Sequence, residues 1–251
     1  MGKTIAICNP KGGVGKTTTC VNLGAAIADM GKRVLVIDLD AKANATLGLG
    51  VRQTSGTIYN ALVGGYSADR FVLPTAMDNL FVLPADIDMV GAEIELAPFK
   101  NREKRLKTAI IDLKEEFDYI FLDCPPSLGL ATLNALVAAD GVIVPMLGEF
   151  YSMQGLIQLT QTLKLIRERC GARVLLEGIL FNMYDGRSLA SKQIESEVKA
   201  HFEGKVFGSV IPKNIRIAEA PSFGLPVIMR DPVCSGARAY QSLTKEMLEK
   251  K

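Results

Sequence analysis

The chain has no tryptophan, one histidine and five cysteines in 251 residues. Each shortage closes off a class of chemistry. A lone His201 gives poor support to a histidine metal centre or a Ser-His-Asp triad and reads as a helix-surface residue. Cys8, Cys20, Cys124, Cys170 and Cys234 are odd in number and include no C-x-x-C pair. That argues against a disulfide framework or a zinc site, and for buried thiols in a reducing compartment. No apolar run approaches the ~18 residues of a membrane span. The opening "MGKTIAICN" is too short for a signal peptide, and Ala6 breaks the myristoylation pattern. A cytoplasmic protein is expected. Net charge is only +2, so the chain is not a polycation. Its charge is uneven, however. Residues 187–251 carry eleven Lys and Arg against seven Asp and Glu, whereas residues 1–186 carry eighteen against twenty. This excess marks either a basic face or scatter over a solvated surface.

What is present is a regular alternation. Apolar runs read as strands at 4–9, 33–40, 80–85, 119–124, 141–146, 175–182, 205–212 and 226–229. They are rich in Val, Ile, Leu and Phe without polar alternation, which suits strands covered on both faces. Helical patterns lie between them, at 17–30, 102–113, 155–169 and 191–202. Repeated strand-then-helix predicts a doubly wound α/β fold, a mostly parallel sheet flanked by helices. No Pro/Ser-rich linker or internal repeat interrupts it, so residues 1–251 are expected to form one domain. Residues 41–79 are the least regular, and mobile loops near the site are expected there. The first strand begins at once, so no appended helix-turn-helix is expected.

Between the first strand and the first helix lies "NPKGGVGKTTT", Asn9 to Thr19. Gly15, Lys16 and Thr17 match the end of the phosphate-loop pattern G-x-x-x-x-G-K-[ST], but Pro10 stands where its first glycine belongs, and a second lysine, Lys11, follows. Gly12, Gly13 and Gly15 let backbone N–H groups turn inward, so phosphate would sit at the positive end of the helix that starts near Lys16. Lys16 would reach the β/γ-phosphates, and the Thr17 hydroxyl would meet Mg²⁺. Asp123 ends the apolar strand "YIFLD" as a second candidate for Mg²⁺. Asp40 ends "VLVIDLD" at the carboxyl edge, where ligands bind in open α/β sheets, and is the candidate to orient the attacking water. Asp38, deeper on that strand, reads as structural.

"KGGVGKTT", "DLD" followed by Asn44, "DCPPSLG", "MYDGRS" and "IPKNIRIAEAPSFG" occur in order along the chain. Together they closely resemble the ParA/Soj family of deviant Walker-A ATPases, part of a superfamily that includes MinD. The resemblance implies a nucleotide site made by Lys11, Gly12, Gly13, Val14, Gly15, Lys16, Thr17 and Thr18, with Asn182 and Pro212 at the adenine. It implies that Lys11, Lys16 and Asp40 are catalytic and that Thr17 and Asp123 hold Mg²⁺ beside ATP. Lys11 would cross to the partner subunit of an ATP-sandwich homodimer, as an arginine finger does. Arg187, Lys192, Lys213, Arg216 and Arg230 would bind DNA without base readout. A ParB-type centromere-binding protein would stimulate hydrolysis and release a nucleoid-associated dimer, segregating chromosome or plasmid. The family's D-x-D-P-Q run is altered here: Ala41 and Lys42 replace the proline and glutamine, which bears on hydrolysis rate and nucleotide preference.

Three other classes share the superfamily. A MinD-like membrane ATPase needs a C-terminal amphipathic anchor. In "AYQSLTKEMLEKK" the stripe Tyr240, Leu243, Met247, Leu248 reads instead as a helix packed on the sheet, so no membrane partner is expected. A nitrogenase-type iron protein needs correctly placed cysteines, and Cys124 reads as strand core. A relative that positions a protein cargo would look much the same in sequence.

Overall fold

The computed structural model describes residues 1–52 and 54–249. Seven strands form one sheet: β1 (Lys3–Ile7), β2 (Val34–Asp38), β3 (Leu73–Pro74), β4 (Leu80–Leu83), β5 (Tyr119–Asp123), β6 (Gly141–Met146) and β7 (Leu175–Phe181). Their order is β3-β4-β2-β5-β1-β6-β7, and every pairing is parallel except β3 with β4. The helices in chain order are α1 (Lys16–Ala28), α2 (Asn44–Gly48), α3 (Ile58–Leu62), α4 (Met89–Leu96), α5 (Arg105–Ala109) and α6 (Leu113–Glu116). There follow α7 (Leu130–Ala138), α8 (Phe150–Cys170), α9 (Leu189–His201), α10 (Ile215–Glu219), α11 (Val227–Arg230) and α12 (Ser235–Glu249).

The period-2 geometry of the strands divides the core into two layers. Ile5, Ile7, Val34, Val36 and Phe121 point to one face, where α1, α11 and α12 cover them. Ala6, Cys8, Leu35, Ile37 and Leu122 point to the other, under α3 to α9. Helix α1 lies unusually close: a Cβ on Gly24 would stand 3.3 Å from Val36. Tyr240, Leu243 and Met247 of α12 are buried in the α1 layer, so the C-terminal stripe is internal packing; Lys250 and Lys251 lie outside the described residues. Cys8, Cys20 and Cys124 are buried thiols, and His201 is exposed near the end of α9. No helix among the described residues is long and apolar enough to cross a membrane.

Three expected elements differ. Residues 205–212 form no strand; they meet β7 through an isolated bridge at Val206 and through the Ile211 N–H, which donates to the Phe181 carbonyl at 2.9 Å, with a further bridge beyond the strand at Pro212. Between them the Gly208 and Ser209 N–H groups donate to the Glu246 carboxylate instead of a strand. Residues 226–229 are not a strand but the start of α11; Pro226 (φ −61°) precedes its first turn, and Asn22 accepts from the Val227 N–H. The pattern at 102–113 breaks into a 3₁₀ turn and α5, with α6 beginning only at Leu113. The irregular stretch 41–79 holds α2, α3, a 3₁₀ turn at Ala68–Phe71 and the short strand β3.

Candidate active site

The carboxyl ends of β1, β2 and β5 meet at the sheet's centre. Parallel register sets Ile7 beside Asp123 and Asp123 beside Asp38. The loop that leaves β1 is anchored by Asn9, which is fully buried. Its Oδ1 accepts from the Lys11 N–H at 2.9 Å, and its Nδ2 donates to the Pro145 carbonyl at 2.8 Å. Gly13 (φ +73°) and Gly15 (φ +85°) occupy the left-handed region that other residues rarely adopt. Gly15 is needed twice over, because a Cβ there would lie 2.6 Å from Asn182 Nδ2.

Lys16 curls back so that Nζ donates to the Lys11 carbonyl at 3.0 Å. Burial lowers its pKa, and the nearby Asp123 partly offsets that. The loop, Lys16, Thr17, Asp40 and Pro126 line a cavity of about 310 Å³.

Asp38 and Asp123 are both fully buried but differently satisfied. Asp38 accepts from the Asp40 N–H and from the Thr46 N–H and hydroxyl, at 3.1, 2.9 and 2.8 Å. It therefore serves the backbone that shapes the Asp40 turn, although burial still raises its pKa to about 6. Neither oxygen of Asp123 has a partner in hydrogen-bonding geometry, although the Thr17 hydroxyl is near enough to ease its charge. Desolvation and then the Asp38 charge push its pKa well up, while the Thr17 hydroxyl and Lys16 oppose the rise. A buried carboxylate with free lone pairs, beside a hydroxyl and a phosphate-shaped loop, suits Mg²⁺. That ion uses one or two carboxylates plus substrate phosphates and water. The described residues contain no group of three acidic, His or Cys ligands that would form an all-protein cage. Asp40 is half-buried, and its Oδ1 accepts from the Lys42 N–H at 3.0 Å; Lys42 reaches the same cavity.

A second cavity, about 400 Å³ and mainly apolar, opens beside the first. Gly15, Thr18, Asn182, Met183, Pro212 and Tyr240 are among its lining residues. Gly15, Thr18 and Met183 line both cavities, whereas Asn182 lines the second. Asn182 Nδ2 donates to the Val14 carbonyl (2.9 Å) and to Thr19 Oγ1 (3.0 Å), and Asn182 Oδ1 is buried without a partner. The Tyr184 N–H donates to the Ile211 carbonyl at 3.0 Å and ties the two wall segments together.

Lys11 points away from its own phosphate cavity. Its Nζ pairs with Glu149 at 2.8 Å and lies 3.4 Å from Ser152 Oγ. Glu149, Asn9, Asn22 and Met183 were not anticipated from sequence. Asn9 abuts the motif and could have been noticed. Glu149 is 138 positions from Lys11, and no local pattern points to it. The five candidate DNA cations are all exposed, on the 184–192 and 213–230 segments. Arg187 pairs with Asp185 (3.2 Å), and Arg216 pairs with Glu219 (3.1 Å) and Asp231 (3.5 Å). Arg230 lies over the Phe223 ring at 4.2 Å. Lys192 and Lys213 have no ion pair among the described residues.

A glycine loop that delivers a lysine and a threonine to the head of a parallel sheet makes this chain a P-loop nucleotide-binding protein of the doubly wound α/β class. A family model described as an AAA domain matches residues 2–176. The sporulation initiation inhibitor protein Soj of Bacillus subtilis is 48% identical over 249 residues, 98% of each chain. The chromosome-partitioning ATPase Soj of Thermus thermophilus is 47% identical, covering 98% of this chain and 95% of its own. Among solved structures, cobyrinic acid a,c-diamide synthase from Mycobacterium smegmatis, with bound ADP and magnesium, superposes with a TM-score of 0.86. It is 33% identical over 99% of this chain and 95% of its own. The chain belongs to the ParA/Soj family of chromosome-partitioning ATPases.

Proposed function

We propose that this chain, acting as one ATPase domain over residues 1–251, partitions DNA through an ATP-gated dimer. The observation that carries the ATP site is the unpartnered, buried Asp123 carboxylate facing Thr17 and Lys16 at the loop. Loop N–H groups from Gly12 to Thr18 cradle the phosphates, and Lys16 exchanges the Lys11 carbonyl for the β/γ-phosphate oxygens. Thr17 and Asp123 hold Mg²⁺, which neutralises charge on those oxygens. Asp40 orients the attacking water. Adenine enters the apolar cavity by Pro212, where the free Asn182 Oδ1 accepts from its exocyclic amine.

Lys11 leaves Glu149 and reaches the nucleotide of a second subunit, so the dimer forms with triphosphate. The dimer binds nucleoid DNA through Arg187, Lys192, Lys213, Arg216 and Arg230 on both subunits. Two weak faces on one rigid body gain from high effective concentration. A ParB-type centromere-binding partner stimulates hydrolysis, the dimer falls apart and DNA is released.

The test is DNA retention across a salt series with ATP, with ADP and without nucleotide, alongside light scattering. Binding is expected only with the ATP dimer, for any sequence, and to fall steeply with salt as counterions are released. The Arg187→Glu/Arg216→Glu double variant should still bind ATP and dimerise, yet lose DNA. Equal binding by that variant, or by monomer and dimer, would sink the DNA reading.

A further inference from the structure

Helix α4 is apolar on two opposite faces. Met89, Ala92 and Leu96 are buried against the core. Ile87, just before the helix, and Val90 and Ile94 are 71%, 64% and 78% exposed. Their spacing of three and four places them along one outward stripe. A helix apolar all round normally lies buried, and a contiguous exposed apolar stripe marks a surface that something covers.

The helix that carries the stripe is acidic: Asp86, Asp88, Glu93 and Glu95 flank it in sequence, and no Lys or Arg occurs between Asp86 and Phe99. Glu95 accepts from the Tyr59 hydroxyl at 2.7 Å, and Arg102 donates to the Ala97 carbonyl at the far end of the helix. None of the four carboxylates makes an ion pair among the described residues.

The stripe is also wired to the nucleotide site. Glu93 Oε1 accepts from the Leu130 N–H at 3.0 Å, capping the start of α7. Gly129 leaves room for this approach, since a Cβ there would crowd the Glu93 carboxylate and make it shift. The loop that Glu93 pins, residues 124–129, runs from Asp123 and carries Pro126 into the phosphate cavity.

From this we infer that the outer face of α4 is the docking surface for a basic amphipathic segment of a partner protein. The segment's apolar side chains cover Ile87, Val90 and Ile94, and its lysines or arginines meet the four carboxylates. The inference rests on the reading that a partner acts on the ATPase cycle, and it names where that partner binds. Contact at Glu93 would reach the Asp123 loop through α7.

The experiment titrates the full chain, with and without ATP and Mg²⁺, against a labelled synthetic helix of leucines at three/four spacing flanked by lysines. A twin peptide carries glutamates in place of lysines. Wild type should bind the lysine peptide, and Val90→Ser/Ile94→Ser should weaken binding by about tenfold or more while keeping the wild-type melting temperature. The Asp86→Asn/Asp88→Asn variant should bind with a shallower salt dependence. Hydrogen exchange of residues 124–133 should slow on binding in wild type and not in Glu93→Gln. Equal binding by the serine variant, or by the glutamate twin, overturns the proposal. So does loss of the ATP-dependent dimer in the serine variant, which would assign the face to a second copy of this chain. Failure of wild type to bind ATP would defeat the ATPase reading, while the nucleotide-free titration would still decide this one.

Discussion

The two halves of the site are built in opposite ways. The phosphate half comes from one stretch, Gly12 to Thr18, and works through backbone: glycines at φ +73° and +85° and N–H groups at a helix start. The apolar half, proposed for the base, is assembled by side chains from distant segments, with Thr18 on α1, Asn182 and Met183 after β7, Pro212 at the end of the bridged segment and Tyr240 on α12. A backbone device needs fixed residues at fixed spacing and so leaves a motif. A side-chain pocket needs only shape and one or two polar atoms, which many sequences supply. Gly15, Thr18 and Met183 are where the halves touch, and beside them the Asn182 amide holds the loop carbonyls while its oxygen is buried without a partner.

The largest expected effect tests the phosphate half. Lys16→Ala removes the buried ammonium that faces the loop, and truncating one member of a buried charged pair costs about 2–5 kcal/mol. ATP affinity should fall at least ~30-fold by calorimetry, and affinity for inorganic tripolyphosphate should fall equally. Near-normal ATP binding would show that the loop is not the site.

Asp40→Ala separates binding from chemistry within that half. Asp40 is half-buried at the cavity rim and its carboxylate accepts from the Lys42 N–H of its own turn, whereas Asp38 ties that turn to Thr46 from below. ATP binding should stay within about threefold, whereas turnover should drop about 10²- to 10³-fold, as for loss of a positioned base. A stable ATP dimer that retains DNA is the expected product. Wild-type turnover would remove Asp40 from the mechanism.

Asn182→Ala probes the side chain beside that junction. Removing the acceptor should cost about 1–1.5 kcal/mol, roughly tenfold in ATP affinity, and should narrow the preference for ATP over GTP. Tripolyphosphate, which has no base, discriminates between the two jobs of Asn182. If it weakens as much as ATP does, Asn182 serves the loop alone and the adenine role is lost.

Legibility in the sequence followed the same division. The strands that became β1, β2, β5, β6 and β7 are rich in apolar residues without polar alternation, so burial on both faces showed in composition, although the start of β7 at Leu175 is exposed. The 205–212 run has the same composition yet fails as a strand, because the Glu246 carboxylate on α12 competes for its N–H groups. The 226–229 run fails because Asn22, two hundred residues earlier, caps it as a helix. In the site, the places of Lys16, Thr17, Asp40 and Asp123 could be read from strand ends and spacing. Glu149 could not, since only the tertiary fold carries it to Lys11.

That last pair supplies the smallest expected effect. In the single chain the Lys11 ammonium is held by Glu149 at 2.8 Å, with 30% and 59% of the two side chains exposed. If Lys11 reaches across a dimer, as proposed, it has to give up this partner first, and the pair then sets a small barrier to dimerisation. Exposed pairs are worth about 0.2–1 kcal/mol, since water and salt screen them. Glu149→Gln should therefore lower the ATP concentration for half-maximal dimerisation by no more than about fivefold, leaving monomer ATP affinity unchanged. The shift should shrink as salt rises, because added ions already weaken the wild-type pair. Lys11→Ala gives the opposite limit: it should bind ATP and stay monomeric by light scattering. If Glu149→Gln instead dimerises less readily, Glu149 contributes to the dimer itself and is not a restraint on Lys11. If Lys11→Ala dimerises with ATP as wild type does, the second lysine of the loop has no role across the interface.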